Sequence, residues 1–106
     1  MNDRQKFILD WANSNTEYLT SYNMHPKVIQ YGEMFYNELK NERKIIQNLT
    51  YNFRKLVCLG VLENPICYGL GFDSKNDFFG TTRQYNWKIN KKRLLLELNI
   101  QNYEAK

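Results

Sequence analysis

Histidine and cysteine, which supply many catalytic and metal-binding groups, are scarce in this sequence. Its 106 residues include one histidine, His25, and two cysteines, Cys58 and Cys67. A Ser–His or Cys–His pair would have to use His25, but this residue precedes Pro26 and is typical of a helix start. The three dispersed side chains also match no zinc-ligand spacing. We therefore expect no enzyme activity, no metal site and no cofactor.

Long apolar segments are also missing from the sequence. No run of about 18 consecutive apolar residues is present, so no segment is expected to span a membrane. The polar residues 1–6 are followed by a short amphipathic run rather than by the apolar segment of a secretory signal. These features predict a cytoplasmic protein with no membrane partner, in which both cysteines can remain thiols.

The sequence does have a marked basic charge, and most of it lies in one segment. The net charge is +4, and 42% of the residues are hydrophobic, which is ordinary for a globular protein with one core. Residues 40–93 carry eleven Lys or Arg against four acidic residues, whereas residues 1–39 carry three against five. We expect a single domain whose basic segment either binds a polyanion or forms a solvated surface.

Helical periodicity predicts three helices in the first 60 residues. The predicted helices cover residues 3–13, 26–40 and about 43–59. Asp3 is the expected N-cap of the first helix, and Gly60 is expected to end the third in the left-handed conformation. Residues 13–23 are predicted to form a polar connection. The expected buried row of the second helix is Val28, Gly32, Phe35, Tyr36 and Leu39.

After Pro65 the apolar period changes from helical to two. Alternating residues at 66–72 and 84–89, on either side of a polar loop, predict a β-hairpin. The last segment, 91–101, favours a helix because of its Lys, Arg, Leu and Glu content. Because its apolar residues also alternate, a strand is the alternative prediction for this segment. The leucines at 94–96 could close the core of the monomer or form a homodimer contact.

One stretch resembles the end of the recognition helix in the winged helix-turn-helix superfamily. It runs from Leu49 to Glu63, with an apolar row, the basic pair Arg54-Lys55, and Gly60 followed by two apolar residues and Glu. The resemblance extends more loosely over residues 26–90. It implies an α+β domain in which three N-terminal helices precede a β-hairpin wing and a short C-terminal helix. Residues 1–24 and 91–106 would flank this core.

The resemblance also implies which side chains would contact DNA. A helix fits the major groove, where Asn and Gln can pair with adenine and Arg with guanine, while Lys and Tyr reach phosphates. The expected contacts of the recognition helix are Gln47, Asn48, Tyr51, Asn52, Arg54 and Lys55. The expected phosphate contacts of the wing and the following segment are Lys75, Arg83, Lys88, Lys91, Lys92 and Arg93.

The sequence departs from the superfamily pattern before the recognition helix. Arg43 and Lys44 stand where a Ser or Thr N-cap is usual, and the turn has only Lys40, Asn41 and Glu42, without glycine. Asn41 is a candidate cap or turn residue. The alternative prediction is therefore that the second and third helices form one longer bent helix.

Three possible functions follow from these patterns. The first is a small non-enzymatic protein that binds DNA, duplex rather than single-stranded. Its size and Asn/Lys-rich composition suggest a regulator or a replication or excision accessory of a phage or mobile element. The alternatives are a single-stranded DNA binder and a module that docks on a larger nucleic-acid enzyme. Phe78 and Phe79, which interrupt the polar hairpin tip, would be the partner-binding pair.

Overall fold

The computed structural model describes residues 2–14, 17–22, 24–68 and 84–104, which form an α+β arrangement of four helices and three strands. In chain order the elements are α1 (Asp3–Asn13), β1 (Tyr18–Thr20), α2 (Pro26–Leu39), α3 (Glu42–Cys58), β2 (Ile66–Tyr68), β3 (Gln84–Lys88) and α4 (Lys91–Glu104). Among the described residues, no helix combines the length and the apolar character needed to cross a bilayer.

Asparagine side chains begin two of the helices. Asn2, not the expected Asp3, is the N-cap of α1, and its side chain accepts a hydrogen bond from the Gln5 amide. Asn41 is the N-cap of α3 and accepts from the Lys44 amide at 2.8 Å. The preceding residue, Lys40, has φ 66°, so the chain turns sharply between α2 and α3. These are two separate helices, and the single bent helix is excluded.

Gly60 ends α3 in the left-handed conformation, as its place in the sequence predicts. Its φ is 81°, and its N–H donates to the Val57 carbonyl, while the N–H of Val61 donates to the Leu56 carbonyl, both at 3.0 Å. This pair of bonds is a Schellman motif, which satisfies carbonyls at the end of the helix. Val61 and Leu56 are both buried, so the motif anchors the chain as it leaves α3.

The three strands form one antiparallel sheet with β3 in the centre. β1 pairs with one edge of β3, with Leu19 opposite Trp87, and β2 pairs with the other edge, with Ile66 opposite Asn86. The antiparallel pairing of β2 with β3 agrees with the expected hairpin. β1 corrects the expectation that residues 13–23 are only a connection, because Tyr18–Thr20 form an extended strand that pairs with β3.

The core lies between the sheet and the helices and is rich in aromatic rings. Phe53 of α3 packs edge-on against Trp11 of α1 at 5.8 Å and against Trp87 of β3 at 5.2 Å between ring centroids. The α2 helix turns Tyr31 and Phe35 into the core. Tyr36, expected in the buried row, is exposed because Tyr31 and Phe35 define the inner side of this helix.

The segment after β3 is a helix, not a strand. Leu94 is fully buried and Glu97 nearly so, whereas Leu95 and Leu96 are exposed. This spacing of three residues is helical, and α4 packs against α1. Leu94 therefore belongs to the core of the monomer, while its two neighbours face outward.

Candidate nucleic-acid interface

A buried apolar row fixes which side of α3 faces outward. Leu49, Phe53 and Leu56 lie in the core. Because a helix repeats every 3.6 residues, the positions opposite this row point to solvent. Six exposed charged or polar side chains there are called the outward face of α3. They are Arg43, Lys44, Gln47, Tyr51, Arg54 and Lys55.

The outward face is positively charged along its length. Two of its cations lie in the first turn of α3 and two in the last two turns, with Gln47 and Tyr51 between them. Glu42, the single acidic residue of α3, instead lines a groove toward α2. A helix face with this charge and these amide and phenol groups can contact both phosphates and base edges.

Tyr51 and Lys55 form a paired surface feature on the outward face. The Lys55 ammonium lies 5.2 Å from the centroid of the Tyr51 ring, which is a cation–π distance. Tyr51 is 54% exposed, so its ring stays accessible while it orients the lysine. The pair can present a charge to a phosphate next to a flat surface for a sugar or base.

The structure corrects the placement of Asn52, which the sequence analysis assigns to the exposed side. Asn52 is 1% exposed and faces α1 and α2. Its amide donates to the Asn48 carbonyl at 3.0 Å and to the Tyr31 hydroxyl at 3.2 Å, and its carbonyl oxygen accepts from Gln5 at 3.2 Å. Buried polar groups are costly unless they are hydrogen-bonded, and here Asn52 joins three helices. It cannot contact DNA from this position.

Asn48 belongs mainly to the same internal network. Its side chain is half-buried and accepts a hydrogen bond from the Tyr31 hydroxyl. Burial raises the pKa of Tyr31 to about 12, against the opposing effects of the Asn52 hydrogen bond and the Arg4 charge. The phenol therefore remains a donor to Asn48 at physiological pH. Gln47 is the better placed of the two neighbouring amides for contact with a ligand.

The basic residues at the end of β3 and the start of α4 are differently engaged. Lys88 and Lys92 are exposed. The Lys91 ammonium donates to the Ala12 carbonyl at 3.3 Å, which ties α4 to the end of α1. Arg93 forms an ion pair with Glu97 at 2.7 Å, and its Cγ and Cδ would lie 3.6 and 4.0 Å from a Cβ at Gly60, which is van der Waals contact. Arg93 thus packs the corner after α3, while Lys88 and Lys92 project to solvent.

Sequence reasoning missed two basic residues of the outward face, and four of the residues that it named fall outside the described part of the chain. Arg43 and Lys44 stand where a Ser or Thr N-cap is usual and are not among the predicted DNA contacts, yet both belong to the outward face of α3. Once Asn41 is identified as the N-cap, helical spacing places them there. Four predicted residues lie outside the described part of the chain, namely Lys75, Phe78, Phe79 and Arg83.

His25 has a structural position at the start of α2. Its Nδ1 accepts a hydrogen bond from the Lys27 amide at 3.1 Å, and its ring stacks on Trp11 at 5.2 Å. In the described part of the chain, no three His, Cys, Asp or Glu side chains gather as they would around a metal ion. His25 therefore acts as the N-cap that its position before Pro26 predicts.

The stability of the fold is expected to fall as the pH drops through the pKa of His25. Burial, and secondarily the charge of Lys27, lowers the pKa of His25 below its ordinary 6.5. Protonation blocks the Nδ1 acceptor, and the unfolded chain takes up the proton more readily. The stabilisation by neutral His25 is complete above the pKa that His25 has in the unfolded chain. It is lost as the pH falls through the lower pKa that His25 has in the folded protein. N-caps contribute about 0.5–2 kcal/mol, which sets the expected scale of the loss.

Urea unfolding at neutral and at mildly acidic pH, for the wild type and His25→Asn, measures this effect. Asparagine keeps an N-cap acceptor but does not titrate, so the variant should lose less stability on acidification. Equal losses in the two proteins would show that His25 is not the titrating group.

Comparison of this chain with protein-family models, curated proteins and solved structures finds no match. The assignment of a function therefore depends on the geometry and charge of the chain itself.

Proposed function

We propose that this chain is a winged helix-turn-helix protein that binds duplex DNA by placing α3 in the major groove. The observation that carries the proposal is the outward face of α3. It combines four cations with Gln47 and Tyr51, it contains no acidic side chain, and it lies on the side of the helix opposite the core. A helix presented in this way suits the width of the major groove.

The arrangement of the other elements supports the proposal. Three helices followed by the antiparallel strands β2 and β3 have the order that the resemblance implies. The turn at Lys40 and Asn41 separates α2 from α3, and the Asn41 cap takes the role of the usual Ser or Thr. Lys88 and Lys92 would add contacts to flanking phosphates, as would Lys75 and Arg83 of the proposed wing. A role as regulator or accessory of a phage or mobile element is part of the same proposal.

Salt dependence of DNA binding tests the proposed interface. If each of the four cations of the outward face neutralises one phosphate, the affinity should fall roughly 100-fold when salt rises from about 50 to about 200 mM. Fluorescence anisotropy with labelled duplex and single-stranded oligonucleotides measures this fall and the preferred strand state. Tighter binding to single strands would contradict groove reading and favour base stacking.

Substitutions on α3 locate the binding surface. Replacing Lys55 by alanine should weaken duplex binding about 10-fold and reduce the slope of log affinity against log salt by about one. Lys6→Ala is the matched control, because Lys6 is an exposed lysine on α1, away from this face. Equal effects of the two substitutions would mean that the positive charge acts without a defined interface. The absence of binding at about 50 mM salt would reject DNA as the partner and direct the search to a protein partner.

A further inference from the structure

An apolar groove lies between α2 and α3, beside the outward face of α3. Its volume is about 450 Å³, roughly three times that of a cavity that holds one benzene molecule. The apolar part of its lining comprises Met24, Val28, Ile29, Gly32, Tyr36, Ile45 and Ile46. Two exposed acidic residues, Glu33 and Glu42, also line the groove, and no basic residue does. This α2–α3 groove therefore suits an apolar ridge that carries positive charge.

The outer side of α4 presents such a ridge. Leu95 and Leu96 are 56% and 48% exposed, and Ile100 lies beside them. Lys92 is also exposed and lies on the same side, because it is three and four residues before the two leucines. These four residues are called the α4 ridge. Adjacent exposed apolar side chains of this size on a small domain mark a contact surface.

We propose that the α4 ridge of one copy of this chain docks into the α2–α3 groove of a second copy. Charge complementarity selects this occupant: the groove offers two carboxylates to Lys92, and the ridge itself has no acidic side chain. The apolar side chains of the ridge supply three groups of the size that the groove can hold. This inference does not rest on the proposed DNA binding, and the two contacts compete for Lys92.

The two surfaces cannot meet within one chain. α4 packs against α1 with Leu94 in the core, whereas the groove lies between α2 and α3. When one ridge meets one groove in each pair of copies, the contact is heterologous, and each copy of the pair retains one unused ridge or groove. Such contacts build rings or open filaments instead of closed two-fold dimers.

Sedimentation equilibrium without DNA, from about 10 μM to about 1 mM protein, tests the contact. We expect the weight-average mass of the wild type to rise beyond that of a dimer. Gly32→Phe should fill the groove and abolish this rise. Its control, Gly32→Ala, leaves the groove open, and a Cβ at this position lies 3.8 Å from Ile45, an ordinary contact. Both variants should unfold at or above the wild-type temperature, because glycine is unfavourable inside a helix.

Mixing two defective variants gives the decisive result. The double variant Leu95→Gln, Leu96→Gln should also be monomeric, since it lacks the ridge. An equimolar mixture with Gly32→Phe should form a dimer and stop there, because one intact ridge meets one intact groove. A monomeric wild type would overturn the proposal, as would a mixture that stays monomeric. Association that persists in Gly32→Phe but not in the leucine variant would also overturn it, by indicating a symmetric contact between α4 helices.

Discussion

Replacing Phe53 by alanine is expected to lower the free energy of unfolding by about 3–5 kcal/mol. The ring is fully buried and lies between Trp11 of α1 and Trp87 of β3, so its removal opens a cavity where two helices meet the sheet. Domains of this size have a total stability of about 5–15 kcal/mol. The variant should therefore be partly unfolded at physiological temperature or close to it.

Urea unfolding followed by tryptophan fluorescence measures this loss directly. Trp11 and Trp87 are the two tryptophans of the chain, and both contact the Phe53 ring. Tyr51→Ala is the matched control, because it removes an aromatic ring from the outward side of the same helix and should change stability by about 0.5 kcal/mol or less. Similar losses for the two variants would contradict the orientation assigned to α3.

Substitution of Asn52 by alanine is expected to reduce stability by about 1–3 kcal/mol without changing the DNA affinity of the folded protein. The substitution removes hydrogen bonds to Tyr31, Asn48 and Gln5 and leaves buried polar groups without their partner. Because the side chain is inside, no contact with DNA is lost.

Gln47→Ala, on the same helix, is expected to have the opposite effects to Asn52→Ala. Gln47 is exposed on the outward face, so its loss should weaken binding to the preferred duplex by about 1–3 kcal/mol and leave stability almost unchanged. Chemical unfolding and anisotropy on both variants separate the two roles. A loss of DNA affinity in folded Asn52→Ala that equals the loss in Gln47→Ala would place Asn52 at the interface after all.

The helices were predictable from the sequence because their signals are local. Pro26 after His25 marks the start of α2, and Gly60 marks the end of α3, where the observed φ is positive. Apolar spacing also identifies the buried side of α3 at Leu49, Phe53 and Leu56. The start of α1 is displaced by one residue, because Asn2 and Asp3 are both good N-caps and sequence alone does not choose between them.

The remaining features depend on contacts between distant residues. β1 has three residues, too few for an alternating pattern, and it is extended because β3 pairs with it. Asn52 is polar, and its burial follows from partners on α1 and α2 that no local pattern reveals. For the same reason the sequence could not show that Arg93 pairs with Glu97 while Lys92 faces solvent. The sequence therefore identifies the buried side of α3 but not which of its polar side chains are exposed, and contact of this helix with DNA stays a prediction.

The central place of β3 has a consequence for synthesis on the ribosome. Both edge strands pair with β3, which follows β1 by more than sixty residues in the chain. A nascent chain that ends before Gln84 contains α1, α2 and α3 in full, but neither β1 nor β2 has its partner. Leu19 and Phe53 then lack the cover that Trp87 provides. The helices can form early, whereas the sheet closes only after residues 84–88 have been synthesised, and until then the exposed apolar surface is open to chaperones and aggregation.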